Sequence, residues 1–354
     1  MEKFKSLPKS TRSTITTYAL VVVVYLVMMG LSSAGAISNS MRGLLVPITA
    51  YICLSISLNL VVGFSGELSL GHAGFMSVGA FTGVVVSSIL AGSLSGPARL
   101  LVAIIVGVLI GIPVMRLRGD YLAIVTLAFG EIIKNLLNNL YVGIDSRGLH
   151  LSMTDTASLG MDGGRVLING PQGAVGYDML SSFTAGFLLV LFTLFVVLNL
   201  VNSRSGRAIM AVRDNRIAAE SVGINTTKYR LMAFVVSAAL AGMAGALYAM
   251  NYTAIVPKKF DFNTSILILV FVVLGGMGNI RGGIISASLL VVLPEKLRFI
   301  GDYRMLIYAI VLIAVMLVSN NRMLRERLRD VAGRMRGRRK GAPASPVKGG
   351  VDNG

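Results

Sequence analysis

The 354-residue chain contains no tryptophan, one cysteine and two histidines, and only 14% of its residues are charged. A single thiol, Cys53, excludes an internal disulfide framework. The two histidines stand far apart, so no metal cluster is expected. A soluble domain carries about 25% charged residues, so the scarcity of charge argues against a soluble globule. A chain that is 54% hydrophobic is not a disordered one either. No Gly-Lys pair occurs, and the phosphate-cradling Gly-x-x-x-x-Gly-Lys-Ser/Thr loop is therefore missing. Neither ATP nor another cofactor is expected on this chain. Acidic residues are also few: 16 Asp and Glu face 33 Lys and Arg, for a net charge of +17. In a soluble protein that surplus would point to nucleic acid. With a mean hydropathy of +0.75, it reads instead as membrane topology, and no nucleic-acid partner is expected.

What is present is a series of long apolar runs. Runs of about 20 residues cross a hydrocarbon core as a helix. They lie at 15–37, 44–62, 72–91, 98–115, 121–141, 181–201, 231–251 and 303–319. Glu131, Lys134 and several asparagines interrupt the fifth. Lys3, Lys5, Lys9 and Arg12 ahead of the first run, and Ala34-Gly35-Ala36 behind it, imitate a secretory signal. The run is long for a signal, which favours an uncleaved span. Residues 264–293 are apolar except for Gly275-Gly276-Met277-Gly278-Asn279-Ile280-Arg281-Gly282-Gly283. One straight helix there would run about 45 Å, too long for a core of about 30 Å. Two pieces of about a dozen residues are each too short. A broken or re-entrant pair meets both limits. The expected fold is an all-α polytopic membrane protein with about eight full spans plus that pair.

Charge supplies the orientation, because cytoplasmic loops carry the excess Lys and Arg. With the N-terminus inside, segments 1–14, 116–120, 202–230 and 320–354 carry +3, +1, +4 and +7, together fifteen of the seventeen net charges. The loop 143–180 is then outside with −2. The basic tail lies inside only if 264–293 goes in and comes back. The expected division is a cytoplasmic N-terminus (1–14), a permease-like membrane domain (15–319) with external loop 143–180 and cytoplasmic loop 202–230, and a basic tail (320–354).

The glycine-rich interruption at 275–283 has a counterpart in Gly63-Phe64-Ser65-Gly66-Glu67-Leu68-Ser69-Leu70-Gly71-His72-Ala73-Gly74-Phe75. Non-helical backbone at membrane depth is tolerated where it is buried in protein or lines a wet cavity. Paired glycine-interrupted segments in two halves point to a transport path. Gly66, Glu67, Ser69, Gly71, His72, Gly275, Gly276 and Gly278 are the candidate path residues. Simple helix packing is the competing reading for any one glycine. Glu67 suits a path position, a turn cap or a wetted interface equally. His72 fits a helix start better than a ligand. Arg281 is read as a snorkelling side chain or a buried ion-pair partner. Glu131 and Lys134, three apart, can pair.

Residues 202–230 form the long inside loop. From Ala208 to about Val222 the sequence is helical in character, with Gly223 as its stop. A short amphipathic helix here can dock in a partner's groove or lie on lipid. Asp214 and Glu220 among the arginines favour docking.

These segments together resemble the permease subunits of bacterial branched-chain amino-acid ABC importers, of the LivM type. The matching pieces are Gly63–Phe75, Arg118–Lys134, Gly206–Gly223 with Lys228 to Leu247 after it, and Leu274–Gly283; Asn169-Gly170-Pro171-Gln172-Gly173 is similar to the family's outside-loop motif. The resemblance implies a multi-pass protein of the bacterial inner membrane. It implies an extracytoplasmic solute-binding protein, a paralogous permease subunit and two ATP-binding ATPase subunits as partners, with no enzymatic activity on this chain. It also implies that Arg213, Asp214, Ala218, Ala219, Glu220 and Gly223 belong to the segment that couples to the ATPase. Urea, short amides or another small polar solute remain alternative cargoes. A stand-alone transporter or channel is the alternative of a different class, with Glu67, Glu131 and Arg281 as its sparse ionisable groups. The Arg-rich tail reads as a solvated orientation anchor, with attraction to anionic membrane lipid as the other reading.

Overall fold

A computed structural model describes residues 9–35, 37–111, 122–161 and 163–320. The expectations placed on residues 1–8, 116–120 and the tail beyond 320, together with Arg118–Tyr121 of the family-like motif, lie outside the described residues. The chain divides after Arg298 into two units.

In the first unit the helices are α1 (Lys9–Ser33), α2 (Asn39–Asn59), α3 (His72–Ile89), α4 (Gly96–Gly111), α5 (Leu122–Asn138), α6 (Phe183–Asn202), α7 (Arg204–Asp214), α8 (Arg216–Ser221), α9 (Thr226–Ala249), α10 (Phe262–Gly275) and α11 (Ile280–Lys296). Short polar side chains start many of them. Ser38, Ser182, Ser203, Asn215, Asn225, Asp261 and Asn279 each accept a backbone N–H from the first turn of the helix that follows. Such caps contribute about 1 kcal/mol each. The second unit holds α12 (Arg304–Asn320), with Leu306, Ile310, Ile313 and Leu317 exposed along one stripe.

Among the described residues, five helical segments are long and apolar enough to cross a membrane: Thr14–Ser33, Asn39–Ser65, His72–Gly92, Phe183–Asn202 and Thr226–Ala249. The protein is thus a mainly helical, polytopic membrane protein. The apolar stretch at 264–293 is indeed broken, into α10 of 14 residues and α11 of 17. At 1.5 Å per residue these run about 21 and 26 Å.

The centre is built from α2, α3 and α9, which lie largely inside the protein, whereas α1 is almost wholly exposed. Small residues permit the closest approaches. A Cβ on Gly79 would overlap the Gly242 carbonyl, one on Gly245 would overlap the Met76 carbonyl, and Gly83 faces Ala246. Gly107 of α4 packs against the same Gly79 and Gly242. Lipid removes most of the hydrophobic drive between helices, so close packing of this kind carries their association.

Two expectations are corrected. The fold is not purely helical: five antiparallel strands form one sheet in the order β2-β1-β3-β4-β5, with β1 Tyr141–Asp145, β2 Gly148–Ser152, β3 Arg165–Asn169, β4 Ala174–Val175 and β5 Ala254–Ile255. The sheet buries apolar side chains of the 141–175 segment and of β5. Val142, Leu167, Ile168, Ala174 and Ile255 are buried. Asp145 closes the β1–β2 turn by accepting N–H bonds from Arg147 and Gly148 and a bond from His150. Partial desolvation raises the Asp145 pKa, but these bonds outweigh it and hold it below the usual carboxylate value. The stretch expected to be helical, Ala208 to about Val222, is likewise not one helix. Asn215 (φ −156°, ψ 106°) ends α7 and caps α8 with its own side chain, because Asn bonds its neighbouring backbone better outside a helix.

Substituting Gly242→Leu should force α3, α4 and α9 apart and cost about 1–3 kcal/mol or more. Thermal melting of the detergent-solubilised protein should fall accordingly. Gly92→Ala, where a Cβ meets nothing within 4 Å, should leave it unchanged.

Candidate functional site

The two glycine breaks lie against one another. α2 passes into a wider π-helical turn, Leu60–Ser65, and terminates on Gly66 in the left-handed conformation (φ 76°). Residues 67–71 are not helical, and α3 begins at His72. In the second break Gly276 and Gly278 take positive φ (89° and 76°) between α10 and α11. The fully buried Asn59 joins the two: its Oδ1 accepts the Gly278 N–H at 2.8 Å. Gly63 lies beside this bond, and a Cβ there would overlap both Asn59 Oδ1 and Gly278 N. At the base of the second break Gly275 packs so closely on Gly282 and Gly283 that no side chain fits. Glycine at these positions is a steric requirement.

Two arginines hold the first break from outside it. Arg213, at the end of α7, donates from Nη1 to the Gly63 carbonyl at 3.0 Å. Its aliphatic stem packs over Gly66, where a Cβ would approach Cγ to 2.5 Å. Asp214 accepts two hydrogen bonds from the same guanidinium, at 2.8 and 2.9 Å. Arg230, in the second turn of α9, forms an ion pair with the largely buried Glu67. Glu67 is therefore not a lone carboxylate.

The polar groups behind the break are buried. His72 Nε2 lies 2.8 Å from Ser57 Oγ. Ser57 donates its hydroxyl proton to Leu54 O, so the ring donates from Nε2. Ser237 donates to Ser57 O, Ala73 N–H donates to Ser265, Leu70 N–H donates to Thr126, and Ser55 donates to Gly283 O. His72 thus has the helix-start role that its position suggested. Four further polar atoms on or next to this break, Asn59 Nδ2, Ser65 Oγ, Ser69 Oγ and His72 Nδ1, are buried without a protein partner. Each such group costs about 1–3 kcal/mol unless something polar meets it. The arrangement is suited to water or a small polar solute at the break.

In the loop, α8 ends in two backbone bonds, Gly223 N–H to Glu220 O and Ile224 N–H to Ala219 O, with Gly223 at φ 83°. This is the C-terminal closure that favours glycine. The Glu220 carboxylate accepts from the Thr226 hydroxyl at 2.8 Å and from Arg216 at 3.2 Å. Those two contacts, the hydroxyl first, hold its pKa below the usual carboxylate value. Ala219 is buried, whereas Ala218, Ile217 (81%) and Val222 (73%) are exposed. The six residues expected to couple therefore divide. Arg213 and Asp214 engage the break, Glu220 and Gly223 fix the turn into α9, and an apolar surface remains outside.

Sequence reasoning missed Asn59 and Arg230. The signal for Asn59 is a lone amide within the apolar run 44–62, four residues ahead of Gly63. Arg230 was counted only as topology charge. Glu131 and Lys134 pair as expected. Arg281 donates from Nε to Thr17 Oγ1 at 2.7 Å.

A family profile described as "Branched-chain amino acid transport system / permease component" matches residues 40–316. The chain is 38% identical over 237 residues to the high-affinity branched-chain amino acid transport system permease protein LivM of Salmonella typhimurium, covering 62% of this chain and 54% of that one. LivM of Escherichia coli matches to the same extent. The nucleoside ABC transporter permease protein NupC of Lactococcus lactis is 29% identical over 196 residues, 52% of this chain and 59% of that one. The chain spans about half the length of the LivM proteins it matches. No solved structure matches it.

Removing one member of the Glu67–Arg230 pair should strand a buried charge and cost about 3–5 kcal/mol. Arg230→Met and Glu67→Gln should each lower the melting temperature, and the double variant should recover much of the loss. The Glu220 contacts carry a pH signature of the opposite kind to a basic group. A depressed carboxylate pKa contributes stability above the ordinary value of 4.5, and this is lost as pH falls through the lower folded value. Proteolytic protection of residues 216–230 should be full at neutral pH and fall below that value. Thr226→Val should move the loss towards higher pH.

Proposed function

Because the chain belongs to the branched-chain amino acid transport system permease family, we propose that it is the membrane subunit of an ATP-driven importer. With a second, paralogous permease it forms the path for branched-chain or related amino acids. Two ATPase subunits bind from the cytoplasm, and an extracytoplasmic binding protein delivers the solute. The higher identity to the two LivM proteins than to the nucleoside permease weighs the cargo towards branched-chain amino acids.

The observation that carries the reading is the Arg213 contact between the α7–α8 loop and the first glycine break. In the proposed orientation the N- and C-termini are cytoplasmic, about eight helices span the bacterial inner membrane, and α10 and α11 form a re-entrant pair. The domain limits 1–14, 15–319 and 320–354 follow from that orientation. Both breaks then lie at the cytoplasmic side. Gly66, Glu67, Ser69, Gly71 and His72 from one, with Gly275, Gly276 and Gly278 from the other, border the path. Ile217 and Val222 insert into the ATPase, Ala218, Ala219, Glu220 and Gly223 shape the segment that bears them, and Arg213 with Asp214 passes its movement to the break. The apolar pair flanked by charges is the form of a helix anchored in a partner's groove.

The tagged full chain, purified from its own membranes, should retain an ATPase subunit. Ile217→Glu and Val222→Glu should each reduce the retained ATPase about tenfold or more, with the amount of inserted chain unchanged. Retention unaffected by both variants contradicts the docking assignment. Leucine uptake without ATP by vesicles containing this chain alone contradicts the importer reading.

A further inference from the structure

The helices that carry the two breaks also meet away from them, and there the contacts are aromatic. The Tyr51 ring of α2 lies edge-on to Phe271 of α10, with 5.7 Å between ring centres, and to Tyr248 of α9, with 5.8 Å. Tyr248 continues to Tyr252 at 5.0 Å, and the Lys259 ammonium covers the Tyr252 ring at 4.7 Å. The Tyr248 hydroxyl interacts with those of Tyr51 and Tyr252. Phe271 and Tyr248 are buried, whereas Lys259 is exposed, so the rings make a continuous series from the core to the surface. Tyr51 stands two helical turns before Asn59 on α2, and Phe271 one turn before Gly275 on α10. Tyr252 and Lys259 lie on either side of β5, so the outer end of the series is at the sheet.

We propose that Tyr51, Tyr248, Tyr252 and Phe271 are the outer gate of the path, closed in this structure, which a solute arriving from the sheet side must part to reach the breaks. The gate rests on the importer reading. Its position is the first argument. The rings lie between the sheet and the buried polar groups of Ser57, His72 and Ser237: Tyr51 precedes Ser57 on α2, and Tyr248 follows Ser237 towards the outer end of α9. The hydrogen bonds from Ser55 to Gly283 O and from Ser237 to Ser57 O tie α2 to α11 and α9 nearer the breaks. Further out, ring edges make the junction with α9 and α10. The kind of contact is the second argument. Edge-to-face rings are individually weak and tolerate a range of angles, so they can part and re-form as helices shift. Gly79 and Gly242 interlock backbone on backbone, which leaves no such freedom. Chemistry is the third. Phenylalanine would fill a core in lipid without a hydroxyl to satisfy, whereas a buried tyrosine needs a polar partner. Hydroxyls that bond one another when closed can turn to water or solute when open.

The test uses the complex reconstituted in vesicles with its second permease and ATPase subunits. ATP-driven leucine uptake by the wild type is measured first; its absence contradicts the importer reading, and the remaining measurements address the gate. Hydroxyl-radical footprinting of the wild-type complex, free of nucleotide and with nucleotide trapped by vanadate, reads the exposure of each ring to water. Tyr51 and Tyr248 should be oxidised about threefold or more faster in one state than in the other. Phe81 and Phe260, which pack on one another at 6.1 Å outside the series, should be oxidised equally in both. Tyr51→Ala should let leucine cross without ATP about ten times faster than the wild-type leak, whereas Phe81→Ala, which also removes a ring, should not. Equal oxidation of Tyr51 and Tyr248 in the two states overturns the proposal and needs no variant to fold. So does a leak at the wild-type level in an assembled Tyr51→Ala complex. A leak raised as much by Phe81→Ala assigns it to loosened packing and overturns the gate as well.

Discussion

Backbone groups released from a helix at membrane depth must find partners inside the protein, and the Asn59 side chain, at the end of α2 where the first break begins, meets that demand in the second break by accepting the Gly278 N–H. Much else in the centre of the molecule follows from it. The bond requires Gly63, since a Cβ would occupy the space between the amide and its partner. It requires α10 and α11 to fold back on one another, which Gly275 and Gly282 permit. The wide π turn that follows Asn59 holds Gly63, whose carbonyl accepts from Arg213. A chain with helical backbone throughout would have neither an exposed carbonyl for the arginine nor a polar surface at Ser65 and Ser69.

The same geometry gives the proposed importer a mechanical connection. α8 and the Val222 that follows it present Ile217 and Val222 outward, and α8 is fixed to α9 through Glu220–Thr226. Arg213 continues to Gly63, Arg230 to Glu67, and Asn59 to the second break. A push on α8 therefore meets a charged and hydrogen-bonded strut. The buried serines, His72 and the unpartnered polar atoms lie behind it, where a rearranged break would expose them to solute.

Much of this was legible in the sequence, for identifiable reasons. The broken pair followed from two lengths, a 30-residue apolar run and a bilayer of about 30 Å, and the break falls inside Gly275–Gly283 as expected. The glycine stop at Gly223 was legible because its chemistry is local. The sheet was not. Its strands are five residues or fewer, and β5 comes from a segment about 80 residues beyond the loop it completes, so no local pattern joined them. The split of the loop at Asn215 was concealed by the helix-favouring alanines around it. The roles of Asn59 and Arg230 depend on partners 219 and 163 positions away, and composition treats such residues only as an interruption and a charge. Charge counting serves only to propose an orientation. It had no means of distinguishing Arg213, held against a break, and Arg281, bonded to Thr17, from arginines that only orient the chain.

The most direct test is the yield of transport per ATP in the reconstituted complex carrying Arg213→Met. This variant keeps Ile217 and Val222 for docking but removes the contact with Gly63. The account predicts that the ATPase remains bound and hydrolyses ATP, while leucine uptake per ATP falls roughly tenfold. Uptake at the wild-type yield would show that movement reaches the breaks by another route and would contradict the account.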